Sequence, residues 1–152
     1  MENYEKYMKE ALREASFAAS EDEVPIGAVV VCQGRIIGKG HNMTERLSDP
    51  TAHAEMIAVT AATEAMGGKY LNDCTLYVTV EPCPMCAGAL LHARVPRIVC
   101  GATDPVAGAM GSVWALHRHP VENTHTTVEF GCLERECREL LQAFFQSKRE
   151  RL

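Results

Sequence analysis

Two cysteines form the clearest chemical pattern in this sequence. Cys83 and Cys86 lie just after Pro82 at the predicted start of a helix, so both thiols fall within one helical turn. The positive end of the helix dipole favours deprotonated thiols, which are the form that binds metal. The spacing alone is also compatible with a redox disulfide or with half of a four-cysteine structural site.

Residues 51–55 contain a candidate third metal ligand and a candidate proton carrier. His53 offers an imidazole ligand, and Glu55 places a carboxylate two positions further on. Three protein ligands with a fourth position left to water are typical of a catalytic zinc, which lowers the pKa of its bound water from about 15.7 to about 7. Glu55 would take the water proton as general base and deliver protons as general acid. The combination of H-x-E with P-C-x-x-C is typical of zinc-dependent nucleobase deaminases.

Around this pattern the sequence resembles the bacterial tRNA-specific adenosine deaminases over nearly its full length. The matching segments are residues 24–29, 40–42, 49–55, 76–89 and 101–112. The resemblance implies hydrolytic deamination of the wobble adenosine, position 34, of a tRNA anticodon to inosine. It also implies one Zn²⁺ per subunit on His53, Cys83 and Cys86, a homodimer, and the tRNA anticodon stem-loop as partner.

The order of predicted elements indicates an α/β protein. A helix over residues 3–19 is predicted from apolar residues at three-to-four spacing, which are Tyr4, Met8, Leu12 and Ala15. Alternation and turn signals predict strands at 26–32, 35–38, 75–80, 97–102 and 126–130, and helices at 52–66, 82–93 and 133–147. The resemblance implies a three-layer α/β/α cytidine-deaminase-like fold with a five-stranded mixed sheet, and the five predicted strands agree with it.

The composition is that of an ordinary globular domain. With 152 residues, 47% hydrophobic and 23% charged, the chain is expected to form a single zinc-dependent deaminase domain over residues 1–152. No apolar run approaches the roughly 20 residues of a membrane span. The acidic N-terminus lacks the pattern of a secretory signal, so a cytoplasmic location and reduced cysteines are expected.

The formal net charge of −5 argues mildly against a nonspecific nucleic-acid binder, since such proteins are usually basic. An RNA substrate would therefore require a locally basic patch. The candidate residues for this patch are Arg46, Lys69, Arg94, Arg97 and Arg118.

Contacts with the target base are expected mainly from the resemblance. Asn42 matches a position that contacts the base, although an asparagine there is also typical of a turn. Ile26 and the backbone of Ala54 would form an apolar wall around a base extruded from its stack. Asp104 matches a position that faces the anticodon-loop backbone.

The end of the last predicted helix resembles an RNA-contacting segment of the same family. Phe144 and Phe145 would stack on unpaired bases, and the basic residues after them would pair with phosphate. Paired phenylalanines are also typical of a hydrophobic core. Two positions depart from the family pattern, since Val106 and Gln146 stand where basic residues are expected. The histidines of the preceding loop, His117, His119 and His125, are predicted to lie on the surface or face RNA.

Two other functions remain open at the level of sequence. A deaminase of a free base or nucleoside, such as guanine or cytosine, would share the zinc chemistry and suit the acidic charge. A noncatalytic zinc-stabilised binding module would supply four protein ligands and has no need of a carboxylate beside them. The presence of Glu55 argues against that module.

Overall fold

The computed structural model describes residues 4–119 and 125–151. A five-stranded sheet has the order β2-β1-β3-β4-β5. Its strands are β1 (Gly27–Cys32), β2 (Arg35–His41), β3 (Cys74–Val80), β4 (Arg97–Ala102) and β5 (Thr127–Glu129). Strand β1 is antiparallel to β2 and β3, whereas β3, β4 and β5 are parallel, so the predicted mixed sheet is confirmed.

The helices also match the predicted elements, with ends displaced by a few residues. They are α1 (Tyr4–Ser20), α2 (Ala54–Met66), α3 (Pro84–His92) and α4 (Glu134–Glu150), with a short 3₁₀ helix at Leu116–Arg118. Helices α2 and α3 begin two residues later than predicted because His53 and Cys83 adopt extended backbone angles as their N-cap residues.

The prediction for β2 was too short, since the strand continues through Gly38 and Gly40 to His41. Glycine usually weakens a strand, but here it permits close packing against α2. A Cβ at Gly40 would overlap the carbonyl oxygen of Ala54, and one at Gly38 would overlap that of Ala58. The two glycines therefore let the helix that carries His53 and Glu55 lie directly on the sheet.

Both faces of the sheet are covered, which gives the predicted three layers. Alternate residues such as Val30 and Val78 join α2 and α3 in one apolar cluster. Their neighbours, such as Val29 and Tyr77, join α1 and part of α4 in a second cluster. Every residue of β1 and β3 is buried, as expected for strands covered on both sides.

Within residues 4–119 and 125–151, no helix combines the length and the apolar character needed to cross a membrane. All seven cysteines are free thiols. Of the five outside the predicted zinc site, Cys132 is half-buried and the others are buried in the core, namely Cys32, Cys74, Cys100 and Cys137.

Candidate active site

The three predicted metal ligands lie at the N-terminal ends of two neighbouring helices. His53 is the N-cap residue of α2, and Cys83 is the N-cap residue of α3. Cys86 lies in the first turn of α3, after Pro84 at the start of the helix, where a missing N–H costs no hydrogen bond. The positive ends of both helix dipoles therefore point at the ligand cluster and stabilise thiolate there.

The distances between the donor atoms fit zinc. The Nδ1 atom of His53 lies 3.6 Å from Sγ of Cys83 and 3.5 Å from Sγ of Cys86. Tetrahedral zinc with Zn–S bonds of about 2.3 Å and Zn–N bonds of about 2.0–2.1 Å requires an N···S separation of about 3.6 Å. All three donor atoms lie within 4.8 Å of one another, and the described part of the chain holds no second cluster of this kind.

The two thiols differ in how readily they ionise. A hydrogen bond from Cys86 lowers the pKa of Cys83 to about 5. The same contact, followed by burial, raises the pKa of Cys86 above its usual range. One thiolate is therefore present before metal binds, and binding would release the remaining proton from Cys86.

Glu55 lies in the first turn of α2 and its side chain is buried beside the ligands. Burial raises the pKa of Glu55 to about 7, because a buried carboxylate loses its hydration. The positive charge of a bound zinc would lower this pKa again and favour the carboxylate, which is the form that accepts a proton. The Glu55 carboxylate beside the ligands is therefore placed to accept a proton and give it back.

A cavity of about 280 Å³ opens over the cluster at the carboxyl end of β3. Its lining includes the three residues predicted to surround the base, which are Ile26, Asn42 and Ala54, together with Glu55, His53 and Cys83. Asp104, which was predicted to face the anticodon-loop backbone, also lines the cavity. The volume lies near the lower end of the roughly 300–1,000 Å³ range of small-molecule sites, which suits a single base better than a large ligand.

Asn42 combines the two predicted alternatives, because it is both a turn residue and a pocket residue. Its side-chain amide donates to the carbonyl oxygen of Val24 at 3.3 Å, and its Oδ1 accepts from the backbone N–H of Thr44 at 3.2 Å. These bonds fix the orientation of the side chain at the wall of the cavity.

Sequence reasoning missed Glu81, which lines the cavity and is buried. Burial alone would raise the pKa of Glu81, but hydrogen bonds from Ser112, Asp104 and Met110 outweigh it and hold the pKa below its usual range. The sequence signal for Glu81 was its position directly after the buried strand β3 and before Pro82. A carboxylate buried at such a position needs hydrogen-bond donors nearby.

The aromatic pair of α4 lies apart from the cavity. Phe144 lines a separate groove between the end of α1 and α4, while Phe145 is 44% exposed. The basic residues that follow are partly engaged within the protein. Lys148 donates to Asp22 at 2.7 Å and Arg151 donates to Asp22 at 3.0 Å, which ties the end of α4 to the end of α1.

The candidate basic patch does not form as a unit. Lys69 and Arg94 pack on the ring of Tyr70, and Arg97 packs on Tyr4, all near the start of β3 and β4 at the opposite end of the sheet from the cavity. Arg46 lies on the cavity side, where it pairs with Glu21.

The surface prediction for the histidine-rich loop was wrong for His117, because its side chain is buried and this burial lowers its pKa. His119 and His125 are exposed as predicted.

Comparison with known proteins identifies the family. The zinc-binding region of cytidine and deoxycytidylate deaminases matches residues 1–102. The tRNA-specific adenosine deaminase of Bacillus subtilis (strain 168) is 46% identical over 97% of this chain and 91% of its own length. The chain belongs to the tRNA-specific adenosine deaminase family. The zinc-binding deaminase chemistry predicted from H-x-E and P-C-x-x-C is thereby confirmed.

Solved structures of deaminases share the fold. A structure from studies of A-to-I editing by tRNA:A34 deaminases at the wobble position of transfer RNA has a TM-score of 0.86 at 44% identity, covering 90% of this chain and 99% of that one. The guanine deaminase of Nitrosomonas europaea has a TM-score of 0.78 at 26% identity, covering 92% and 83%. The higher identity places this chain with the tRNA-specific adenosine deaminases rather than with that free-base enzyme.

Proposed function

We propose that this chain converts the wobble adenosine, position 34, of a tRNA anticodon to inosine and ammonia. The observation that carries the proposal is a base-sized cavity that lies over a cluster of His53, Cys83 and Cys86 with the spacing of zinc ligands. The buried Glu55 lines the same cavity. The 46% identity to a tRNA-specific adenosine deaminase supports an RNA adenosine as the substrate.

Hydrolysis of the amine requires two proton transfers, and Glu55 is placed for both. When bound at His53, Cys83 and Cys86, zinc lowers the pKa of a coordinated water to about 7 and so supplies a nucleophile at neutral pH. As oxygen adds to C6 of adenine, Glu55 takes a proton from the water and delivers it to ring N1. Glu55 then carries the remaining proton of the added oxygen to the amino group. The C6–N bond breaks, ammonia leaves, and the oxygen becomes the C6 carbonyl of inosine.

The remaining cavity residues would hold the extruded base during these transfers. Ile26 and the backbone of Ala54 form its apolar walls, and the fixed amide of Asn42 lies at its polar edge. Recognition of a base that has left its stack relies on this combination of tight apolar walls and edge contacts.

RNA outside the target base would be bound beyond the cavity. The carboxylate of Asp104 accepts from the N–H groups of Val106 and Ala107, which fixes it within its own turn. Asp104 also lines the cavity, so it would contact the anticodon loop at the rim. Phe144 and Phe145 would stack on neighbouring unpaired nucleotides. A tRNA substrate is also the reason to propose a cytoplasmic location.

We further propose that one deaminase domain spans residues 1–152 and that two copies form a homodimer. Apolar side chains remain exposed around α2 and α3, among them Leu47, Met66 and Met85. No atom of the described residues lies within 4 Å of a Cβ built on Gly88. Light scattering should give twice the chain mass of 16.7 kDa, and Met85→Glu should shift the mass toward one chain.

The substrate is tested by incubating the zinc-loaded protein with an unmodified tRNA transcript that carries a wobble adenosine. Parallel reactions contain guanine, cytosine, adenosine or cytidine, and a transcript with the adenosine replaced by guanosine is the matched control. We expect inosine at the wobble position and ammonia in equal amount, with no product from the small molecules. Ammonia from a free base or nucleoside, with the transcript unchanged, would contradict the tRNA assignment and leave the deaminase chemistry in place.

A further inference from the structure

Two buried glutamates outside the zinc chemistry hold loops that line the cavity, and one of them, Glu81, also lines the cavity itself. Glu23, between α1 and β1, is 1% exposed, and Glu81, between β3 and α3, is 3% exposed. A carboxylate removed from water is destabilising unless hydrogen bonds replace its hydration. Each of the two carboxylates receives its hydrogen bonds from one loop, and the two loops are different.

Glu81 collects its donors from the loop after β4. Its Oε1 accepts from the N–H of Asp104 at 3.0 Å and from the hydroxyl of Ser112, and its Oε2 accepts from the N–H groups of Met110 and Ser112 at 3.0 Å each. The loop closes tightly on the carboxylate, because a Cβ at Gly108 would overlap Cδ of Glu81. The carboxylate and the folded loop therefore require each other.

Glu23 collects its donors from the loop after β2. Its Oε2 accepts from the N–H of Arg46 at 2.7 Å, and its Oε1 accepts from the N–H of Glu45 at 3.1 Å and the hydroxyl of Thr44 at 3.4 Å. This arrangement has one donor fewer than that of Glu81.

Each of the two loops supplies a wall of the cavity. The loop held by Glu23 contributes Thr44 and follows Asn42, while the loop held by Glu81 contributes Asp104 and Ala107. Helices α2 and α3 fix the floor, but the distance between these walls depends on the two loop conformations. The two carboxylates thus determine how closely the walls approach a base lying over Glu55.

We propose that Glu81 and Glu23 are positioning residues that hold opposite walls of the cavity at the width of one base, with Glu81 the stronger of the two. Neither residue takes part in proton transfer or metal binding in this role. The inference rests on the proposed deaminase function, since it assigns the walls to binding of the target base.

Glutamine is the informative replacement because it keeps the size of the side chain. At position 81, each oxygen accepts two hydrogen bonds, so either orientation of the amide turns an NH₂ group toward two donors. At position 23, the amide can place its NH₂ at the single donor of Arg46 and keep the other contacts. Glu81→Gln should therefore have a larger effect than Glu23→Gln.

The kinetic experiment measures KM and kcat for a wobble-adenosine stem-loop together with zinc content. We expect Glu81→Gln to raise KM by about 10- to 100-fold and Glu23→Gln by about 3- to 10-fold, while kcat falls by less than about threefold and zinc content stays at the wild-type value. Glu129→Gln, which alters an exposed ion pair with Arg97 far from the cavity, should leave both constants unchanged. Unchanged KM in Glu81→Gln, or loss of its zinc, would overturn the proposal.

A second readout does not depend on activity or metal. Trp114 is the single tryptophan of the chain and lies at the end of the loop that Glu81 holds. Its backbone N–H donates to the carbonyl oxygen of Gly108, and its backbone carbonyl accepts from the N–H of Gly111. Glu81→Gln should increase quenching of Trp114 fluorescence by acrylamide, whereas Glu23→Gln should leave it at the wild-type level. Equal quenching in wild type and Glu81→Gln contradicts the inference.

The two readouts separate this inference from the proposed function. If the wild-type protein makes no inosine in the stem-loop but Trp114 responds as expected, the tRNA assignment fails and the loop-holding role of Glu81 stands. If Glu81→Gln does not fold, Ser112→Ala removes one donor and keeps the carboxylate. That variant should raise KM by about two- to fivefold with zinc retained, and an unchanged KM would overturn the proposal.

Discussion

The floor of the cavity and the C-terminal half of α4 differ in how firmly the fold holds them. The floor is made of helix N-termini packed on the sheet, and its donor atoms lie within 4.8 Å of one another. The end of α4 exposes 44% of Phe145 and is joined to α1 through Asp22, by surface ion pairs that typically contribute about 0–1 kcal/mol each. The core therefore determines the chemistry, whereas the surface at the end of α4 that we propose to contact RNA can vary without altering the fold.

The largest effect in this comparison is expected from removal of a ligand in the floor. Cys83→Ala leaves His53 and Cys86 as the remaining ligands, so zinc content should fall close to zero and activity should disappear. The melting temperature should also fall, because metal binding is coupled to folding. Elemental analysis and a melting curve check both. Cys132→Ala, which changes a half-buried thiol outside the cluster, is the control that should retain zinc. Full zinc occupancy in Cys83→Ala would contradict the ligand assignment.

A smaller effect is expected when the floor is displaced and its ligands are kept. Gly40→Ala introduces a Cβ that overlaps the carbonyl oxygen of Ala54, so the start of α2 must shift with His53 and Glu55. A displacement near 1 Å typically costs about 10²-fold in rate, and overpacking destabilises by about 1–3 kcal/mol. We expect a lower kcat and a lower melting temperature. Gly68→Ala adds a Cβ in open space and should behave as wild type, and equal behaviour of the two variants would argue against the packing role of Gly40.

The smallest effect should come from the end of α4. Phe144→Ala removes a ring that would stack on an unpaired nucleotide, and stacking contributes about 1–3 kcal/mol per base. KM for a wobble-adenosine stem-loop should rise by about 5- to 100-fold, while kcat and zinc content remain unchanged. Phe130→Ala removes another exposed ring outside α4 and serves as the control. The same KM in both variants would remove α4 from the RNA-binding surface.

The floor of the cavity and the sheet beneath it could largely be predicted from the sequence. The cluster of His53, Cys83 and Cys86 was predictable because the cysteine pair has a fixed spacing at a helix start marked by Pro82 and Pro84, and because His53 and Glu55 form the H-x-E motif. The five strands were predictable because their apolar runs are dense and bounded by turn signals. These features depend on neighbours in sequence, so a local pattern is sufficient to find them.

What escaped prediction depends on contacts between distant segments. Glu81 reads as an ordinary acidic residue until the loop that ends at Ser112 folds around it. His117 reads as part of an exposed polar loop, although the fold buries it. Gly38 and Gly40 are typical of the end of a strand, but both lie within β2, where α2 packs directly on them.

The most direct test of the account compares single-turnover inosine formation by zinc-loaded wild type and Glu55→Gln on a wobble-adenosine stem-loop. The variant keeps the volume of the side chain in its buried position but cannot carry a proton. We predict a rate constant lower by at least about 10²- to 10⁴-fold, with zinc content and stem-loop affinity unchanged. A rate constant close to that of the wild type at full zinc occupancy would contradict the role of Glu55 and with it the proposed mechanism.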